Sequence, residues 1–308
     1  MRCLITGATG FAGRHLADAL RAAGHHVEGL ARHAADTPFP IHLADLCDPA
    51  ATEAVLRSTR PDWVFHLAGF AHAGKSFTDP DGAWAGNLTA SRGLYAAIHK
   101  SELKPRVLHV SSGLVYGDAL PGEPPATEDA PLRPASPYAV SKAAADLLAY
   151  QQTRSPGIDV VRVRPFNQLG PGQPADYAAA SFARQIVAAE RGTGPPVVRA
   201  GDLSPYRDLT DVRDMARAYI RLLEVGRTGE AYTAGSGRVH QIRAVLDRLV
   251  KLARVSVTVD ERGDPARAGD TAVAAADTRK LRAETAWAPG YTLDQTLADV
   301  LDYWRATV

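Results

Sequence analysis

The chain has 308 residues, 45% of them hydrophobic, and carries 35 Lys and Arg against 34 Asp and Glu, a formal net charge of +1. That length and apolar content suit one large α/β unit with an added lobe, and the near-neutral balance excludes a nucleic-acid binder that works by bulk charge. The two cysteines, Cys3 and Cys47, form no CxxC or metal-ligand spacing, no apolar run approaches the ~20 residues of a bilayer span, and Met1 leads straight into a strand pattern, so the expectation is a cytoplasmic protein without disulfide, metal, nucleic acid or membrane.

In chain order, strand patterns are expected at Arg2 to Thr6, His26 to Ala31, Ile41 to Ala44, Trp63 to Ala68, Arg106 to Ser111 and Asp159 to Arg164. Between them helical periodicity runs over Phe11 to Ala23, Pro49 to Ser58, Asp81 to Lys100 and Tyr138 to Thr153. This alternation builds βαβ units with right-handed crossovers. The predicted fold class is therefore α/β, a doubly wound parallel sheet of Rossmann type with ligands outside the carboxyl ends of its strands. Asp118 to Pro137, rich in proline and acids, is expected to be a long loop at the site rather than a linker. Beyond Arg164, helices are expected at Ala178 to Arg191, Asp211 to Glu224, His240 to Ala253 and Leu293 to Thr307, with strands at Glu230 to Ala234 and Val255 to Val259. They imply a smaller carboxyl-terminal α/β lobe.

The turn Thr6-Gly7-Ala8-Thr9-Gly10-Phe11-Ala12-Gly13 stands between a strand and an amphipathic helix. Such a turn binds a pyrophosphate through backbone N–H groups and the helix dipole. Gly7 permits the tight turn, Gly10 lets backbone approach the pyrophosphate, and Gly13 lets the helix pack close. At the end of the second strand, where an NAD site carries an acid, stands Leu30-Ala31-Arg32-His33. Arg32 favours a 2′-phosphate, hence NADP(H) over NAD(H), with a solvated surface Arg as the alternative; Glu28 lies inside the strand and is not the ribose acid. Asp45, with Leu46, contacts the adenine or else caps the helix that follows.

Tyr138 and Lys142 are one helical turn apart. An ammonium beside a phenol lowers the phenol's pKa, which makes Tyr138 a candidate general acid or base. Ser111-Ser112-Gly113, at the tip of the preceding strand, offers a hydroxyl to the reacting oxygen. His66, inside an apolar strand, is expected to be a satisfied core residue, and no histidine spacing supports a metal.

These motifs resemble the extended short-chain dehydrogenase/reductases that act on nucleotide sugars. The resemblance spans nearly the whole chain: the Gly7-Gly10-Gly13 turn, His66-Leu67-Ala68-Gly69, Asn87, Ser111 to Gly117, Tyr138-Ala139-Val140-Ser141-Lys142, Arg164-Pro165-Phe166-Asn167, and Tyr206 to Val212. It implies Ser112, Tyr138 and Lys142 as the catalytic set, with Tyr116 on the substrate side of the pocket. It implies a cofactor site of Gly7, Gly10, Phe11, Gly13, Arg32, Asp45, Leu46, Leu67, Ala68, Tyr138, Lys142 and Pro165. Ser112, Asn167, Arg207 and Arg267 would meet the substrate, the two arginines neutralising its diphosphate. Residues 1–166, rejoined by about 205–236, would bind the dinucleotide, and 167–204 with 237–308 the nucleotide sugar.

Within the family, 4,6-dehydratases carry an acid two positions after the catalytic hydroxyl; here that position is Leu114, which cannot exchange a proton. The run Arg164 to Gln173 with Ser181 to Ile186 is most similar to the GDP-4-dehydro-6-deoxy-D-mannose reductases, which form GDP-D-rhamnose. The chain departs from them at Asp264-Pro265-Ala266-Arg267, which Ala268-Gly269-Asp270 follows instead of a further Arg-Pro. The resemblance thus implies a 4-keto reductase of a nucleotide-activated 6-deoxyhexose, GDP-linked, supplied by a separate 4,6-dehydratase. The alternatives are an NAD-dependent 4-epimerase and, in a different class, a non-catalytic dinucleotide-sensing protein. Small residues on the helices around Ala83 to Ala97 and Ala139 to Ala145 allow close helix approach, and the resemblance implies that these helices pair into a homodimer.

Overall fold

The structure is a computed structural model that describes residues 1–117, 119, 123–155, 157–262 and 273–307. In chain order, β1 (Arg2–Thr6), α1 (Phe11–Ala22), β2 (His26–Ala31), β3 (Ile41–Leu43), α2 (Pro49–Thr59) and β4 (Trp63–His66) form the first half of a doubly wound unit. There follow α3 (Pro80–Trp84), a π-helical turn (Ala85–Thr89), α4 (Ala90–Ser101), β5 (Arg106–Val110), α5 (Pro137–Arg154) and β6 (Val160–Pro165). The chain then leaves the sheet for β7 (Asn167–Leu169), α6 (Ala178–Glu190), β8 (Val197–Ala200) and β9 (Tyr206–Asp211), and returns through α7 (Val212–Val225) to β10 (Ala231–Ala234). The last elements are β11 (Val239–Gln241), α8 (Ile242–Lys251), β12 (Thr258–Glu261), β13 (Val273–Ala274), α9 (Arg279–Thr285) and α10 (Leu293–Thr307).

Seven strands make the main sheet, in the order β10-β6-β5-β4-β1-β2-β3, and every pairing is parallel. Sequence period explains how it is covered on both sides: neighbouring residues of a strand face opposite ways. Ile5, Phe65, Leu108 and Val161 join a core with Leu16 and Leu20 of α1 and Met215 and Tyr219 of α7. Their neighbours Leu4, Val64, Val107 and Val160 join a second core with Leu56 of α2, Leu94 and Ile98 of α4 and Ala149 of α5. The strand order reverses between β1 and β4, and the crevice at such a switch point lies beyond their carboxyl ends, where Gly7 and Leu67 stand.

The remaining strands are short and pair outside that sheet. β9 takes β11 antiparallel (Arg207 opposite His240), β13 parallel (Arg207 opposite Ala274) and β7 parallel (Leu209 opposite Asn167). A parallel β8–β12 pair and helices α6, α8 and α10 enclose a third core that includes Phe182, Ile186, Val198, Leu246 and Leu301.

The helix expected over Asp81 to Lys100 is interrupted. Pro80 starts α3, Asp79 caps it by accepting from the Gly82 N–H at 2.9 Å, and the π turn separates α3 from α4. Ala90 N–H donates five residues back to the Ala85 carbonyl, so the turn is one residue wider than an α turn. The β element expected at Val255 to Val259 lies instead at Thr258–Glu261, where pairing with β8 sets its position. No helix among the described residues is long and apolar enough to cross a membrane.

Candidate active site

The glycine turn carries the chain from β1 into α1. Gly7 has φ +74°, and a side chain there would meet the Ala68 nitrogen at 2.8 Å, so only glycine fits between the turn and the chain leaving β4. A Cβ on Gly13 would run into the Gly7 carbonyl, which keeps α1 tight against the turn. At Gly10 it would meet only the Gly7 oxygen, at 3.3 Å. No side chain caps α1, whose first turn holds no acid. The first N–H groups of this helix, with its positive dipole end, are therefore suited to receive an anion.

Arg32 and His33 are exposed just past the end of β2. Glu28 is engaged within the sheet, contacting His42 at 2.5 Å and His26 at 3.2 Å, as a residue inside the strand should be. Asp45 is exposed and accepts from the Cys47 N–H at 2.9 Å. It is not the helix cap: Asp48 caps α2, accepting from Ala50 and Ala51. Leu46 is buried in the sheet core, while Leu67 and Ala68 are partly exposed beside the turn, and Pro165 ends β6.

Ser112, Tyr138 and Lys142 come together because β5 ends where α5 begins. Ser136 caps α5 by accepting from Ala139 N–H, and Pro137 fills its first position, which puts Tyr138 and Lys142 on the inward face. All three side chains are buried, at 6–8% exposure, so each is shielded from bulk water. Ser112 accepts from Leu114 N–H at 3.2 Å, and its hydroxyl stands near enough to the Tyr138 phenol to favour the phenolate. Leu114 itself is partly exposed.

The expected depression of the phenol's pKa by the lysine is not what the structure has. Burial pushes Tyr138 up to about 12; the nearby Ser112 hydroxyl pulls the other way, and Tyr177 adds to the rise. The ammonium of Lys142 is turned to the Val110 carbonyl, to which it donates at 3.0 Å. Burial brings Lys142 itself down to about 8. Desolvation therefore sets the direction of both shifts. At neutral pH the phenol is protonated and the lysine mostly charged, a combination suited to giving a proton.

Asn87, in the π turn, is buried beside this pair. Its amide donates to Ser141 Oγ at 2.9 Å, and Ser141 donates to the Tyr138 carbonyl at 2.8 Å. Its Oδ1 is buried without a hydrogen-bond partner. A Cβ on Gly69 would lie 2.5 Å from that oxygen and 3.3 Å from Lys142 Nζ, so glycine keeps open a nook lined by one acceptor and one ammonium. Sequence reasoning assigned Asn87 no role. It also missed Ser76, fully buried, whose hydroxyl accepts from the Tyr138 N–H at 3.1 Å. Neither has a local signal, since both act on a helix more than 50 residues away.

Tyr116 is held by the interior: its hydroxyl accepts from Arg164 at 2.9 Å, its ring stacks on Phe166, and it is as buried as the catalytic candidates. Arg164 also donates to the Glu128 carbonyl at 2.9 Å, fixing the loop before α5, and shares the buried Asp146 carboxylate with Arg162, each at 2.7 Å. Asn167 is exposed at the start of β7. Arg207, partly exposed on β9, donates to the Tyr206 carbonyl at 3.1 Å. Register pairs Asn167 with Leu209, two residues along β9 from Arg207, in a sheet separate from the main one. Arg267 lies outside the described residues. His66 is core, with both ring nitrogens hydrogen-bonded, and no group of three or more His, Cys, Asp or Glu among the described residues could hold a metal.

A glycine turn at a switch point, with a serine past the end of β5 and a tyrosine and lysine one turn apart on α5, defines a short-chain dehydrogenase/reductase of the extended type. Residues 3–235 match the NAD dependent epimerase/dehydratase family, and the chain belongs to it. Over its whole length the chain is 35% identical to the GDP-6-deoxy-D-mannose reductase of Pseudomonas aeruginosa, across 98% of that protein. It is 29% identical to a UDP-glucose 4-epimerase of Mycolicibacterium smegmatis, with 99% of each chain covered. Among solved structures it superimposes on RMD from Pseudomonas aeruginosa complexed with NADPH (TM-score 0.89, 32% identity) and on the UDP-glucose 4-epimerase of Thermus thermophilus complexed with NAD (TM-score 0.89, 30% identity), each pair covered in full. The cofactor is thus a nicotinamide dinucleotide, and the donors of the turn and the Lys142–Asn87 nook suit its pyrophosphate and a ribose hydroxyl.

Proposed function

We propose that the protein reduces the 4-keto group of a nucleotide-activated 6-deoxyhexose, turning GDP-4-dehydro-6-deoxy-D-mannose into GDP-D-rhamnose with NADPH. The observation that carries this reading is a buried, protonated Tyr138 beside the buried Ser112, with aliphatic Leu114 in place of a dehydratase acid. The full-length similarity to a reductase of this kind supports it. When bound, the reduced nicotinamide supplies hydride to the carbonyl carbon. Ser112 orients the carbonyl oxygen, and Tyr138 gives that oxygen its phenolic proton, so the carbonyl becomes an alcohol. Lys142 and the acceptor of Asn87 hold the nicotinamide ribose, while Gly7, Gly10, Phe11 and Gly13 receive the pyrophosphate on backbone N–H groups. Arg32 meets the 2′-phosphate, Asp45 and Leu46 flank the adenine, and Leu67, Ala68 and Pro165 wall the crevice.

The sugar nucleotide lies between the sheet edge and the lobe of residues 167–204 and 237–308, with Asn167, Arg207 and Arg267 on its phosphates. Its 4-keto group comes from a separate dehydratase. Two copies of the chain pair through α4 and α5, where Val140, Leu147 and Tyr150 are exposed apolar side chains along one helix.

The test is absorbance loss at the reduced nicotinamide band with GDP-4-dehydro-6-deoxy-D-mannose and NADPH, with product analysis. Tyr138→Phe should lower turnover by about 10²-fold or more with nucleotide-sugar binding kept. Cofactor-neutral interconversion of two sugar epimers would transfer the assignment to a 4-epimerase, and dehydration of GDP-mannose would overturn the role of Leu114.

A further inference from the structure

A buried chain of hydrogen bonds runs from the glycine turn to the catalytic helix, and His66 is its centre. Gly7 leaves room for the Ala68 nitrogen, whose N–H donates to Thr6 Oγ1 at 3.2 Å; Thr6 Oγ1 lies 2.8 Å from His66 Nδ1. On the other side His66 Nε2 lies 2.9 Å from Ser91 Oγ, which is 2.6 Å from the Asn87 carbonyl. The direction of every link follows from proton count. Two oxygens at 2.6 Å need a proton between them, and a carbonyl has none, so Ser91 spends its one proton on Asn87. Ser91 Oγ must then accept from His66, which makes Nε2 the protonated nitrogen. Nδ1 is left as an acceptor, and Thr6 donates to it. Beyond Asn87, the amide, Ser141 and the Tyr138 carbonyl continue the chain.

The π turn gives Ser91 its importance. Widening the helix by one residue displaces the acceptors of the backbone ladder, and the Ser91 hydroxyl brings a donor to the carbonyl of Asn87, four residues back. His66 in turn orients that hydroxyl. The imidazole sits beside a second buried histidine, His109, at a ring separation of 5.4 Å, and is fully within the protein. Burial, His109 and the charge of Lys142 all hold His66 well below the usual imidazole range, so it keeps one neutral tautomer.

We infer that His66 is a positioning residue for the catalytic tyrosine: its Nε2–H tautomer fixes Ser91 and the π turn, and through Asn87 and Ser141 sets the start of α5. This inference deepens the reductase reading and rests on it for the kinetic part. Gln places an amide donor near the Nε2 position, whereas Asn reproduces only the Nδ1 side and Leu neither. His66→Asn and His66→Leu should therefore lower kcat by about tenfold or more, with KM for NADPH and sugar nucleotide changed by less than about twofold, and His66→Gln should recover most of kcat. A His66→Gln as impaired as His66→Leu, or a loss carried by KM alone, would overturn the inference.

Nitrogen NMR of histidine-labelled parent protein gives a readout that needs neither turnover nor a variant that folds. His66 should show a protonated Nε2, a bare Nδ1 and no titration between about pH 5 and 9; an Nδ1–H tautomer would also overturn the inference. A parent protein that consumes no NADPH sinks the reductase reading by itself, and the tautomer measurement still decides the role of His66.

Discussion

Replacing Lys142 by methionine should make the cofactor-free protein more stable at neutral pH while removing its activity. The native fold holds this ammonium in a buried place and brings its pKa from the ordinary 10.5 to about 8. That displacement corresponds to about 3 kcal/mol of strain on the charged form, an order-of-magnitude figure. Between pH 8 and 10.5 the unfolded chain binds more protons at this site than the native chain. Stability contributed by the site therefore rises with pH through that window, and below it the full cost is present. Methionine has similar length and no charge, so it removes the cost; it also deprives the Val110 carbonyl of one donor, at about 1 kcal/mol. The expected net gain is about 2 kcal/mol at pH 7, shrinking to near zero by about pH 9.5. Urea unfolding of both proteins at the two pH values measures it, with groups common to both cancelling. A methionine variant less stable at pH 7, or a gain that does not shrink with pH, would refute the account of Lys142 as a strained, functionally retained charge.

Three other expectations can be checked independently. NADPH should bind more tightly than NADH, and Arg32→Asp should lower NADPH affinity by at least about tenfold, as loss of a charge-assisted contact plus repulsion requires; equal affinities of the parent protein for both cofactors in a titration would remove Arg32 from the site. Light scattering at micromolar concentration should give the mass of two chains, and a monomer mass would dismiss pairing through α4 and α5. Asp146→Asn should cost about 3–5 kcal/mol in denaturant unfolding, because it leaves the buried guanidinium groups of Arg162 and Arg164 sharing an uncharged partner; a loss below about 1 kcal/mol would mean that the cluster relaxes.

How much of this was legible in the chain divides along the range of the interactions. The main-sheet strands are mostly apolar runs, and a strand buried on both faces advertises itself in that way; hence β1 and β2 fall where expected, and the others within one or two residues. The glycine turn is local, and Tyr138 and Lys142 share a face by helical period alone. Short strands such as β7, β9, β11 and β13 have no such signal. Runs of two to six residues become strands here only because β9 offers edges to pair with.

The active site shows the same division more sharply. Sequence pointed to the functional groups of the candidate site: Tyr138 and Lys142 by helical spacing, and Ser112 by the family resemblance. Tertiary structure decided their ionisation and their neighbours. Lys142 bonds a carbonyl 32 residues away, Asn87 reaches Ser141 across 54, and Thr6 meets His66 across 60. Tyr116 sits four residues from Ser112 in the chain, yet Arg164 of another strand draws its hydroxyl inward. Desolvation and hydrogen-bond direction depend on what surrounds an atom in space, which spacing along the chain does not specify.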